Sequence, residues 1–354
     1  MTRTRAAIGR CSLAVLVAVL IGGCGSSSTS TSAGGGSASA GSASSGAAAR
    51  TTSTAAAPTP AIDDLAAAER PGVAMFPPAD GRSLQQLGTL VSATVSLGAA
   101  TGTFTPGTRR LAFGLTTSAG RYVYAPTAVY LARTATAPAS GPFLAPIDSM
   151  VVAPVYRSEQ NAGPGDISAI YAADVPVAHA GTMDVLSLTH GPHVLIGATG
   201  EIAVARSSPI PDVGQRAPAV ATDTAATVHG DTARLTTRLP PEHMAAVSLT
   251  QVLGKRPVAL LFSTPQLCTS RVCGPVTDVA VSLQRRFGSR IAFIHEEVYV
   301  DNQPNQGLRP QLKAFHLETE PWLFTINRRG IITARLEGAF GTAEMIRALQ
   351  AALR

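Results

Sequence analysis

The stretch Lys255–Gly274, KRPVALLFSTPQLCTSRVCG, constrains the chain more than any other. Pro257–Ser263 within it is an unbroken apolar run, which reads as a strand covered on both faces. Such a strand needs layers of structure above and below it, and the downstream sequence supplies them. Pro275–Phe287 carries Val276, Val279, Ala280, Leu283 and Phe287 at helical spacing. Arg290–Val300 reads as a second strand, Asp301–Gly307 as a polar loop, Leu308–Phe315 as a short helix and Trp322–Asn327 as a third strand. Arg328-Arg329-Gly330 predicts a hairpin turn into Ile331–Glu337, and Thr342–Leu353 closes the chain as an amphipathic helix. The order is β-α-β-α-β-β-α. Between its first strand and first helix stand Cys268 and Cys273, two of the four cysteines in the chain.

Upstream the composition changes. Over the whole chain only 14% of residues are charged, below the usual quarter, and the dilution lies mostly in the N-terminal region. Residues 1–23 have the form of a signal peptide: Arg3, Arg5 and Arg10 precede the short apolar run Ser12–Ile21. The segment Ile21-Gly22-Gly23-Cys24 resembles a bacterial lipobox, which implies that Cys24 becomes a lipidated mature N-terminus and anchors the protein to the cell membrane from outside the cytoplasm. Loss of the three arginines leaves 25 basic against 22 acidic residues, +3 in place of +6. Neither that balance nor any basic run argues for nucleic acid. Residues 24–60 are Ser/Gly/Ala/Thr-rich and read as a disordered tether, and 61–86 as an irregular lead-in in which Ala61–Arg70 is compatible with a short helix.

Residues 87–206 carry seven short β-rich runs separated by turn residues: Thr89–Leu97, Arg110–Thr116, Thr127–Ala135, Ser149–Tyr156, Ile167–Val177, Thr182–Leu188 and His193–Val204. That density predicts an antiparallel β-sandwich of immunoglobulin-like architecture, without the cysteine and tryptophan pattern of antibody domains. His179, His190 and His193 fall in turns at irregular spacing and are read as loop residues.

Two segments then resemble one family. Val213-Gly214-Gln215-Arg216-Ala217-Pro218 is similar to the start of redoxin-type domains, and Val247–Thr250 with Leu253–Phe262 resembles their lead-in to the cysteine site. Residues 207–354 are thereby identified as similar to the thioredoxin-like, peroxiredoxin-related group. The resemblance implies an α/β thioredoxin fold after the sandwich. It further implies thiol–disulfide exchange with exported proteins, no cofactor, and no metal.

Cys273-Gly274-Pro275 matches the C-G-P of the family signature. The signature's second cysteine is replaced by Val276, and the partner lies upstream at Cys268, in a C-x4-C arrangement. A cysteine at a helix N-terminus has its thiolate stabilised by the helix dipole and free N–H groups, so Cys273, with Gly274 and Pro275 in the first turn, is the expected attacking residue and Cys268 the resolving one. The reverse order stays open. The resemblance also implies a cis-proline at Pro321 that docks substrate, with Glu320 near the cysteines and Trp322 at the rim. Other readings remain. The pair is a structural disulfide in a non-enzymatic binding or scaffold lipoprotein, or the segment Pro265…Ser270…Cys273 supports a peroxidase, one residue off that family's spacing. Alternatively the thiols handle copper(I), with His243-Met244 upstream and His295 or His316 as further candidates. Glu296-Glu297 reads as solvated strand-end charge.

Overall fold

The structure, a computed structural model, describes residues 63–161 and 166–354. The expected signal peptide, Cys24 and the tether lie outside the described residues. Among the described residues no helix is long and apolar enough to cross a membrane. The elements are α1 (Leu65–Ala68), α2 (Leu84–Gly88), β1 (Ala93–Thr94), β2 (Ser96–Ala99), β3 (Gly107–Thr116), β4 (Thr127–Ala132), β5 (Ser140–Leu144), β6 (Ile147–Ser149), β7 (Ala169–Val177), β8 (Gly181–His190), β9 (Leu195–Val204), α3 (Leu249–Val252), β10 (Val258–Phe262), α4 (Cys273–Phe287), β11 (Ala292–Glu296), α5 (Pro310–Ala314), β12 (Trp322–Ile326), β13 (Ile332–Glu337) and α6 (Thr342–Ala352), with short 3-10 turns between.

The described residues are mostly β-sheet, in three sheets of strand order β1-β9-β8-β4-β5, β2-β3-β7-β6 and β11-β10-β12-β13. The first two enclose one apolar core, with Val129, Leu131, Val185 and Ile202 facing Leu111, Phe113, Tyr171 and Val175. All their pairings are antiparallel except β1 with β9, which is parallel. Two expected strands differ. Ser149–Tyr156 is strand only at its first residue, because Pro154 opens a 3-10 turn. Thr89–Leu97 starts later than expected, since the Ser83 capping box nucleates α2 just before it. The lead-in is not a loose linker: Phe76, Leu84 and Leu87 cover Ala128, Tyr130 and Leu186 on the outer face of the five-stranded sheet. That cover explains why every residue of β4 is buried.

The third sheet follows the β-α-β-α-β-β-α order. Strand β10 runs parallel to β11 and antiparallel to β12, which pairs antiparallel with β13. All five residues of β10 are buried, as an unbroken apolar run requires. Val258, Leu260 and Phe262 face the cluster built with α3, α5, Trp322 and Phe324. Ala259 and Leu261 face α4 and α6.

The period of two along β3 and β7 sets how the halves meet. Leu111, Phe113, Tyr171 and Ala173 turn into the core between the first two sheets. Ala112 and Ile170, one residue out of phase, join Met150, Val276, Val279 and Leu349 in the cluster around α4 and α6. The sheet β2-β3-β7-β6 is therefore a shared middle layer. Polar contacts fix the junction. Asp148 of β6 accepts from the backbone N–H of Gly341, Ala343 and Glu344 at 2.9 Å each, so its carboxylate caps α6. Arg110 of β3 makes a two-pronged pair with Glu344 at 2.6 and 2.7 Å. Two glycines permit the approach. A Cβ on Gly338, where φ is +69°, would lie 1.9 Å from the Ala100 carbonyl oxygen, and one on Gly341 would lie 2.4 Å from that of Ser149.

Candidate functional site

Strand β10 ends at Ser263 and Thr264, and the loop to α4 carries both cysteines. Cys268 is held by its N–H to the Thr264 carbonyl at 3.1 Å, and Cys273 is the first residue of α4. Both thiols are free and buried, Cys268 7% exposed and Cys273 fully enclosed. Before β12 the Glu320–Pro321 peptide bond is cis. A carboxylate oxygen of Glu320 and the two Sγ atoms all lie within 4.8 Å of one another. Of the residues singled out in the sequence, the structure thus brings together Cys268, Cys273 and Glu320, with Pro321 beside them. Gly274 and Pro275 are in the buried first turn of α4. Trp322 is not at the rim. It is fully buried in the cluster on the opposite face of the sheet, stacked on Phe324, because alternate residues of β12 point to opposite faces.

The electrostatics of the two thiols differ in direction and favour the reverse order that the sequence leaves open. The Cys268 thiol is pulled down to about 5, chiefly by the hydrogen bond from the Cys273 thiol. Burial opposes this, and the Ser270 hydroxyl, with Oγ 3.1 Å from Cys268 Sγ, and the N–H groups of Cys273 and Val272 assist it. Burial pushes Cys273 well up, and its neighbour Cys268 adds to that. The N–H groups at the start of α4 do stabilise a thiolate, but it belongs to the cysteine five residues upstream. Burial and the Cys268 charge raise Glu320 to about 7. Tyr299 is raised by burial and by the charges of Glu320, Cys268 and Cys273.

Ser270, Val272, Thr319 and Glu320 form one wall of a cleft of about 500 Å³. The rest of the lining includes Ala99 of β2 and Ile170 of β7, with Ala100 and Tyr122 from the segments that follow β2 and β3. Arg271, in a left-handed conformation (φ 60°), directs its guanidinium to Asp166 at 2.7 Å.

A second cluster hangs from the same strand end. Glu242 Oε1 is 2.7 Å from His295 Nδ1, and His295 Nε2 is 2.8 Å from Ser263 Oγ. Burial works against a charged imidazole here, but Glu242, with Glu297 and the Ser263 carbonyl, raises it to about 9. His295 is then doubly protonated and donates from both nitrogens. Ser263 donates to Thr277, and Thr277 to the Cys273 carbonyl at 2.7 Å. The acid–His–Ser sequence has the contacts of a hydrolytic triad. Ser263 is fully enclosed, and in this chain it passes its proton on to Thr277.

Glu296 and Glu297 are buried, not solvated. Burial raises Glu296 to about 7 even though Arg309 contacts it at 2.9 Å, and Glu297 accepts from Thr237 N–H and Oγ1 at 2.6 and 2.8 Å. Nothing local in the sequence marks Arg309 as the partner of Glu296, or Glu242 as the partner of His295. The nearest signal is that the apolar run Ile291–Ile294 continues through His295-Glu296-Glu297 to a buried Val298. Met244 packs in the same apolar cluster as both cysteines, while His243 is exposed. Neither belongs to the group formed by the two cysteines and Glu320. No protein-family model matches the chain, and no curated protein matches it.

Proposed function

We propose that the protein is an exported, lipid-anchored thiol–disulfide oxidoreductase, with a thioredoxin-like fold over residues 207–354 and an immunoglobulin-like sandwich over 87–206. The strand order β11-β10-β12-β13, with helices packed on both faces, supports the fold reading. The observation that carries the function is the meeting of two free thiols with Glu320, which itself lines a cleft.

In the mechanism this supports, the Cys268 thiolate attacks one sulfur of a client disulfide. The S–S bond breaks, a client thiolate leaves and a mixed disulfide forms. Cys273 then gives its proton to Glu320, which lies within reach, and attacks Cys268 Sγ. The second client thiolate departs, and the Cys268–Cys273 bond closes. The client gains two electrons and the pair loses two. A pair acting as oxidant runs the same steps backwards. Peroxidase chemistry is less well supported, because the Ser270 hydroxyl contacts Cys268 rather than Cys273.

The complete burial of Cys273 favours a second reading, a structural disulfide in a scaffold lipoprotein. The reduction potential separates the two. Exchange predicts a value above about −300 mV and turnover of a disulfide client that Cys268→Ser abolishes. A value below about −300 mV with no turnover assigns the pair to structure. The anchor is tested separately: Cys24→Ser should release the protein from the membrane fraction and remove its acyl mass.

A further inference from the structure

The same three side chains have a donor set that thiol exchange alone does not need. We propose that Cys268, Cys273 and Glu320 form a site for a thiophilic divalent cation of the zinc class when the pair is reduced.

Geometry comes first. At Zn–S about 2.3 Å and Zn–O about 2.0–2.2 Å, the ligand atoms of a tetrahedral site lie about 3.5–3.8 Å from each other. The two Sγ atoms and a Glu320 oxygen are already all within 4.8 Å, so small side-chain adjustments close the triangle. The three ligands come from two separate stretches, the β10–α4 loop and the segment before β12, both anchored in sheet. The chemistry of the donors selects the ion. Two thiolates exclude the oxygen-seeking cations, and the carboxylate makes the set harder than copper(I) prefers, which leaves a borderline ion such as zinc. No His stands in the group.

Charge points the same way. Fully deprotonated, the group carries three negative charges, and its own members offer no cation. The arginine of the loop, Arg271, is turned to Asp166. Glu320 lines the cleft, as do Ser270 and Val272, neighbours in sequence of the two cysteines, so of the three ligands it is the carboxylate that borders the cleft. An ion there holds both sulfurs as thiolates and blocks their attack on a disulfide. Oxidation of the pair removes two of the three ligands and releases it. Metal occupancy thereby reports the reduced state.

The test uses the full chain carrying Cys11→Ser and Cys24→Ser, so that Cys268 and Cys273 are the only thiols. The protein is reduced, stripped with chelator and titrated anaerobically with zinc alone against a chromophoric chelator, and with cobalt(II) alone as a spectroscopic probe. The expected result is one equivalent bound, thiolate-to-cobalt charge-transfer absorption, and loss of both after oxidation of the pair. Glu320→Gln, which keeps both thiols, should weaken zinc binding about tenfold or more. Circular dichroism establishes that this variant is folded. No stoichiometric binding, cobalt spectra without thiolate bands, or equal zinc affinity in Glu320→Gln would each overturn the site. The rate of reaction with a small aromatic disulfide in excess chelator is a separate readout. A metal-binding pair that fails it sinks the exchange reading and leaves this one standing, and an exchanging pair that binds no metal does the reverse.

Discussion

Two acidic clusters depend on the C-terminal end of β10, and they differ in how their charge is met. From Glu242 to Cys273 the buried groups are met in sequence: Glu242 faces a protonated His295, and the proton chain runs on through Ser263 and Thr277 to the Cys273 carbonyl. A few residues further on, Cys268, Cys273 and Glu320 are three acids in mutual reach with no cation among them. Burial of a charge is stable only when a partner repays the lost hydration. The first cluster is held closed by that rule. The second stays in tension, with one thiol pulled down and its neighbours pushed up, the divided pattern expected of groups that exchange protons.

The comparison can be broken most severely through a matched charge. Asp278 of α4 is fully buried, 2.9 Å from Arg238 Nε, and accepts from Ser158 and Asn161. Asp278→Ala leaves Arg238 unpaired and should cost about 3–5 kcal/mol in urea unfolding. His295→Phe strands Glu242 and should cost roughly 3 kcal/mol at pH 6, since each tenfold change in proton affinity is worth about 1.4 kcal/mol. The folded value of His295 lies above its ordinary one of 6.5, so its stabilisation is full below that pH and fades as the pH rises through about 9. Unfolding of wild type and variant should therefore converge above pH 9. A gap unchanged with pH would show that the imidazole is neutral.

Smaller effects sharpen the other side. Cys273→Ala removes the strongest bond to the Cys268 thiolate, and the alkylation midpoint of Cys268 should rise by about one pH unit or more. Cys268→Ala should leave Cys273 nearly inert to alkylation at pH 7. The smallest change is expected from Glu320→Gln, which after solvent screening should alter stability by no more than about 0.5 kcal/mol. Its sign is fixed by the raised folded value: the variant should match wild type near pH 4.5 and be slightly the more stable above about 7. A loss comparable to that of His295→Phe would mean Glu320 belongs to the matched class after all.

The C-terminal elements are legible in the sequence because apolar period and turn residues are local signals. Each observed element there falls within about two residues of its expected bounds at most ends, from β10 to α6. Cys268 and Cys273 are legible for the same reason. The polar partners are not. Arg309 pairs with Asp223, 86 residues earlier, and Glu242 reaches His295 across 53 residues. Both Asp223 and Glu242 come from a Pro- and Thr-rich stretch without period, where no pattern marks a buried charge. The order of the thiols stays hidden because sequence shows which cysteine starts the helix, not which sulfur its N–H groups reach.

The shared middle layer has a consequence for motion. A client-binding gap between two domains commonly opens and closes about a hinge. Here Asp148 caps a helix of the other half, Arg110 grips it, and the glycines at 338 and 341 seat backbone against backbone. A jaw built on those contacts cannot swing without breaking them together. The cleft lined by Ser270, Val272 and Glu320 on one side and by Ala99, Ala100 and Gly338 at that junction is then held at a width set when the chain folds.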